Sequence, residues 1–189
     1  MSSPAEELLA ATFEQFLHRE QDAPRRHELV SGRIYVMAGG SERHDLAAGL
    51  VYEALAPGAR TAGCRPFTAN RLLKVGSEGS AAGYYPDVLV TCGPAQHRLY
   101  EADAHLVVEV LSPSTQDTDR REKASAYLRL PGLSAYVLVD PERRRVEVAR
   151  MVDGQLTWQA FGPGDVVTTA FGVLDVDALH DALDATATT

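Results

Sequence analysis

Cysteine is nearly absent: two occur in 189 residues, Cys64 and Cys92, far apart and without a metal-ligand partner at short spacing. That excludes a zinc site of the paired-cysteine kind and predicts free, buried thiols in a reducing cytoplasm. No apolar run approaches the ~18–20 residues of a membrane span. The opening residues, Met1 to Glu7, are acidic and lack a basic region followed by an apolar one, so no secretory signal is expected. Several catalytic signatures are also missing. There is no Walker-type phosphate loop, no dinucleotide glycine pattern after a first strand and no Gly-x-Ser-x-Gly elbow. His27-Glu28 lacks the second histidine of a helical zinc site. Positive charge is scarce too. The formal net charge of -8 argues against generic nucleic-acid binding.

What is present suits one α/β domain spanning residues 1–189. Apolar residues make up 45% and charged residues 23%, enough to bury a genuine core. Charge is unevenly placed. Between Arg120 and Arg150 lie eight basic and four acidic residues, so this window is +4 and the remainder is -12. A basic segment on an acidic body can hold phosphate, although a solvated helix and hairpin would look the same.

Apolar spacing predicts a helix over residues 5–17. Ser31-Gly32 between two apolar runs predicts a hairpin, and Ser41 can cap a helix over 42–56 that Pro57-Gly58 ends. Strands are expected at 63–67 and 70–75, then a flexible small-residue loop from Gly76 to Gly83. Further strands are expected at 134–139, 145–151 and 155–160. A helix capped by Ser114 or Thr115 carries Lys123 and Tyr127, and the tail forms a short helix over 174–183 before fraying. The expected architecture is a mixed central sheet flanked by helices.

Two of the strand-like runs each carry one carboxylate. Asp87 follows Pro86, which fixes an extended entry to Val88-Leu89-Val90. Glu109 lies among Leu106, Val107, Val108, Val110 and Leu111, a run that reads as buried on both faces. An ionised carboxylate there needs a cation or hydrogen-bond donors. A divalent cation is one good partner, and Lys123 follows on a helix. Two carboxylates and a lysine are the parts of a metal-dependent phosphodiesterase.

The segments Tyr85-Pro86-Asp87-Val88-Leu89-Val90, Leu106-Val107-Val108-Glu109-Val110-Leu111-Ser112-Pro113-Ser114-Thr115, Asp119…Lys123…Tyr127 and Tyr136-Val137-Leu138-Val139-Asp140-Pro141 carry a resemblance. So do Glu28-Leu29-Val30-Ser31-Gly32-Arg33-Ile34 and Ser41-Glu42-Arg43-His44. Together they resemble the Uma-two family of restriction-endonuclease-like proteins, within the PD-(D/E)XK nuclease superfamily. The resemblance covers Glu28 to Asp140. It implies a restriction-endonuclease-like fold and a DNA endonuclease using Mg²⁺ or Mn²⁺. It also implies Asp87 and Glu109 as metal ligands, the Val110 carbonyl as a further ligand, and Lys123 as the catalytic lysine. The chain departs from the superfamily pattern at Leu111, where lysine would stand; Lys123 on the next helix takes its place. Glu28, His44 and Tyr127 are accessory candidates, and Arg120 and Arg121 are candidate phosphate contacts. The partners implied are DNA and, as an assembly, a homodimer, with no membrane. The competing expectation is a non-catalytic nuclease-fold protein that binds nucleic acid or protein.

Overall fold

The structure, a computed structural model, describes residues 11–186 except 38, 78, 114 and 115. A six-stranded mixed sheet forms its centre. Its strands are β3 (Cys64–Thr68), β6 (Val88–Cys92), β8 (Leu106–Val110), β9 (Ala135–Asp140), β10 (Arg145–Val152) and β11 (Gln155–Phe161), and their spatial order is β11-β10-β9-β8-β6-β3. Only β8 and β9 run parallel; the other neighbours are antiparallel. A second, five-stranded sheet is built from β1 (His27–Val30), β2 (Arg33–Val36), β4 (Leu72–Val75), β5 (Ala82–Tyr84) and β7 (Tyr100–Glu101).

Alternation sorts the central strands into two cores. Val88, Val90, Leu106, Val108, Val137 and Val148 face one way. Against them pack α2 (Glu42–Thr61), α5 (Val176–Thr186) and the small hairpin of β12 (Val166–Thr169) and β13 (Gly172–Asp175). Leu89, Val107, Tyr136, Leu138 and Ala149 face the other way, toward Tyr127, Leu130, Leu73 and Tyr84. A third cluster joins α1 (Phe13–Gln21) to the five-stranded sheet through Phe16, Leu29, Ile34 and Tyr85.

Several expectations shift. The first helix begins at Phe13, because Thr12 forms a capping box with Gln15 instead of filling an apolar position. Residues 5–10 of the expected helix and the caps Ser114 and Thr115 lie outside the described residues. Helix α2 runs past Pro57-Gly58 to Thr61, since Ala56 and Ala59 are buried and keep that turn packed. Gly58 permits this contact: a Cβ there would sit 2.0 Å from the Phe171 carbonyl oxygen. The small-residue stretch after Gly76 turns back into β5, which pairs with β4. The tail forms β12 and β13 before α5, so Leu174 is in a strand.

The cysteine expectation is overturned. Cys64 and Cys92 are direct partners in the antiparallel β3–β6 register and form a disulfide. Their sequence separation of 28 concealed this, because β3 reaches β6 only after the chain has passed through the second sheet. The argument for a reducing compartment from free thiols therefore falls. Among the described residues no helix is long and apolar enough to cross a membrane.

Candidate active site

The candidate residues meet where the central sheet faces the five-stranded one. In the β6–β8 ladder Val88 is opposite Val108 and Leu89 opposite Val107. One further step of that register sets Asp87, just before β6, opposite Glu109. Directly opposed residues share a sheet face, so the two carboxylates are on one side. Asp87 Oδ2 accepts the Val110 N–H at 2.7 Å and lies 3.3 Å from His44 Nε2 on the first turn of α2. Ser41 caps that turn through the His44 N–H, which aims the histidine back at the strand end. Val110 thus enters the site through its N–H.

Glu109 is 3% exposed and fully partnered on one oxygen. Its Oε1 receives Lys123 Nζ at 3.1 Å and the Tyr127 hydroxyl at 2.8 Å. Lys123 is itself 5% exposed. It belongs to a broken helix: α3 (Gln116–Thr118), a π-type turn over Asp119–Lys123, then α4 (Ala124–Tyr127). Such i→i+5 turns are rare and recur at functional sites. Here the turn places Asp119 and Lys123 on the same inward side. Lys123 Nζ also contacts Glu28 Oε1 at 3.1 Å and Asp119 Oδ1 at 3.3 Å. Glu28 comes from β1 and accepts the Tyr85 N–H at 3.4 Å.

The structure brings Lys123, Tyr127, Glu28 and His44 together with Asp87 and Glu109. Arg121 and Arg129 point to solvent, while Glu122 is half-buried and accepts the Tyr84 hydroxyl at 3.1 Å. Arg120 forms a paired contact with Glu147, Nε to Oε2 and Nη2 to Oε1, each at 3.2 Å. That leaves Arg121 the more available of the two phosphate candidates. Sequence reasoning gave Asp119 no role of its own; it is 1% exposed. It missed Tyr136, whose hydroxyl donates to the Asp119 carbonyl at 3.0 Å. The available signal for each was its place in the segments that carry the resemblance, Asp119…Lys123…Tyr127 and Tyr136-Val137-Leu138-Val139-Asp140-Pro141.

Burial pushes the Glu109 carboxyl well up, the Lys123 charge opposes that rise, and Asp87, Asp119 and Glu28 add to it. Burial would lower the Lys123 ammonium, but Glu109, Glu28 and Asp119 outweigh it and hold it well above its ordinary value. Burial likewise raises Tyr127 and Tyr136, so both remain hydroxyl donors at neutral pH. The hydrogen bond to Asp87 lifts His44 to about 9, against the opposing effect of burial.

Four acidic side chains therefore surround one ammonium and one imidazolium in a water-poor place. A divalent hard cation fits the oxygen-donor chemistry of that set. The described residues do not form a ready group of three metal-holding side chains, because Lys123 stands among the carboxylates.

A profile of the Uma2 family, described as "Putative restriction endonuclease", matches residues 13–176. The uncharacterized protein slr1290 of Synechocystis sp. (strain ATCC 27184 / PCC 6803 / Kazusa) is 32% identical over 139 residues, which is 72% of each chain. A second uncharacterized Synechocystis protein, sll1609, is 27% identical over 151 residues, covering 78% of this chain and 84% of its own. In fold, the chain is similar to a crystal structure described as a putative nuclease belonging to DUF820 from Anabaena variabilis ATCC 29413. Their TM-score is 0.72 at 20% identity, over 91% of this chain and 98% of the other.

Proposed function

This chain belongs to the Uma2 family, and from that premise we propose that it is a metal-dependent DNA endonuclease, a single nuclease domain that hydrolyses phosphodiester bonds. The observation that carries the reading is the buried Lys123 ammonium 3.1 Å from Glu109, on the strand beside Asp87. Asp87 and Glu109, with the Val110 carbonyl, are the residues that would hold Mg²⁺ or Mn²⁺. Bound there, the cation would neutralise charge on the phosphate undergoing attack and acidify water.

The chain's own groups have separable tasks. Lys123 orients the attacking water or contacts the scissile phosphate, where a fixed positive charge counts for more than in bulk water. Glu28 and Asp119 hold Lys123 in place, Tyr127 orients Glu109, and His44 orients Asp87. Arg121, and Arg120 if it leaves Glu147, supply backbone phosphate contacts that position DNA without reading its sequence.

One observation favours the competing reading of a non-catalytic nuclease-fold binding module. Glu109 Oε1 is already paired with Lys123 and Tyr127, so its charge has a partner without any metal.

The deciding experiment compares wild type and Glu109→Ala on plasmid and linear DNA with Mg²⁺, Mn²⁺ and EDTA, beside the thermal shift each shows with Mn²⁺. Cleavage only with divalent cation, reduced at least about a thousandfold in Glu109→Ala, is expected, since each ~1.4 kcal/mol lost is tenfold in rate. The Mn²⁺ shift should vanish in Asp87→Ala. Equal activity in wild type and Glu109→Ala would place the activity elsewhere. Neither cleavage nor metal binding would leave the non-catalytic reading standing.

A further inference from the structure

The central sheet has two edges, and they are built very differently. Edge strand β3 contains Arg65 and Pro66, two residues that blunt an edge: the proline has no N–H to offer and the arginine brings charge. It is also covered by α2 and stapled to β6. Edge strand β11 has none of these devices. Its seven residues, Gln155-Leu156-Thr157-Trp158-Gln159-Ala160-Phe161, include no charge and no proline, and six are exposed. Among the described residues no strand lies on its outer side.

The β10–β11 hairpin also overreaches the rest of the sheet. Strand β9 pairs with β10 only as far as Ala149, while β11 stays paired to the tip at Val152 and Gln155. On the overhang Met151 and Leu156 are direct partners, 48% and 49% exposed, beside Trp158 at 40%. A long, uncharged edge with an apolar side is what proteins avoid unless something pairs with it.

We infer that β11 is the self-pairing edge of a homodimer, in which two copies of β11 join antiparallel and extend the six-stranded sheet across a two-fold axis. A second copy is the occupant for two reasons. The first is charge. Two chains of -8 repel over most of their surfaces, and β11 is a full strand where neither copy brings a charge to the contact. The second is self-complementarity. With the axis at Trp158, the middle residue, one face stacks the two tryptophans and sets Leu156 against Ala160. The other face sets Thr157 against Gln159 and Gln155 against Phe161. Every position meets an uncharged partner, as an isologous contact requires. The outer backbone groups gain the ladder they lack. This inference stands apart from the nuclease reading, since it uses no site residue.

The test is solution mass and fluorescence of the full chain. Trp158 is the sole tryptophan, so its emission reports this edge alone. Wild type should have the mass of a dimer, and dilution should shift the emission to the red as Trp158 becomes wet. Leu156→Lys, Gln159→Lys and the pair together should each halve the mass with an unchanged circular dichroism spectrum. Thr68→Lys, on the opposite edge, should leave the dimer intact. A wild-type monomer at the highest soluble concentration overturns the inference. So does a dimer that survives the β11 lysines, or one whose dissociation leaves the tryptophan emission fixed.

Discussion

Lys123 Nζ sits 3.1 Å from Glu109 Oε1, fourteen residues away in sequence, with both side chains almost sealed from water. Each is buried because the other is there. Lys123→Ala leaves Glu109, Glu28 and Asp119 facing one another without their ammonium. The expected loss is about 3–5 kcal/mol of stability, the usual result of breaking a buried pair from one side. Denaturant unfolding of Lys123→Ala, Glu109→Ala and the double variant checks this. The double variant should be clearly more stable than the sum of the two losses predicts, because Glu109 is then no longer left buried without its ammonium. Additive losses would mean that the two residues do not share an interaction.

His44 is the group near the site that titrates within reach of ordinary buffers. Its folded value is lifted from 6.5 to about 9 by the hydrogen bond to Asp87. The sign follows directly. A raised basic group stabilises the fold fully below 6.5, and that contribution is lost as the pH climbs through about 9. In an NMR titration the His44 ring should change protonation near 9 in wild type. In Asp87→Asn the midpoint should fall, because the carboxylate charge is gone. An unchanged midpoint would show that Asp87 is not the cause.

The Cys64–Cys92 disulfide closes a loop of 28 residues that contains β4 and β5. On the chain-entropy view a loop of that length contributes about 3–4 kcal/mol by limiting the unfolded chain. Reduction by dithiothreitol, or Cys92→Ser, should therefore lower the melting temperature, and the two treatments should not add. A melting temperature indifferent to reductant would mean that the thiols are not joined in solution.

Local chemistry made much of this protein legible. Ser31-Gly32 needed a tight turn, and the hairpin of β1 and β2 is there, with both residues at positive φ. Asp153-Gly154 joins β10 to β11 in the same way. The run from Leu106 to Val110 admitted no exposed face, and all five of its residues are buried. Glu109 in that run demanded a partner, since an unpaired charge in an apolar strand is too costly. These conclusions needed only neighbours in sequence.

Tertiary structure decided which partners meet. The lysine arrives through a π-type turn that no residue pattern announces, and the same turn buries Asp119 beside it. Glu28 reaches Lys123 from another sheet, and the two cysteines become opposite residues only once β3 has paired with β6. By itself the sequence determined that Glu109 would be buried and that Lys123 and Tyr127 would share a helical face, because burial and periodicity are properties of a single segment. Only the assembled sheets decided that Glu28, Asp119 and His44 would close around them, because contacts between distant segments depend on register and packing, which no single segment encodes.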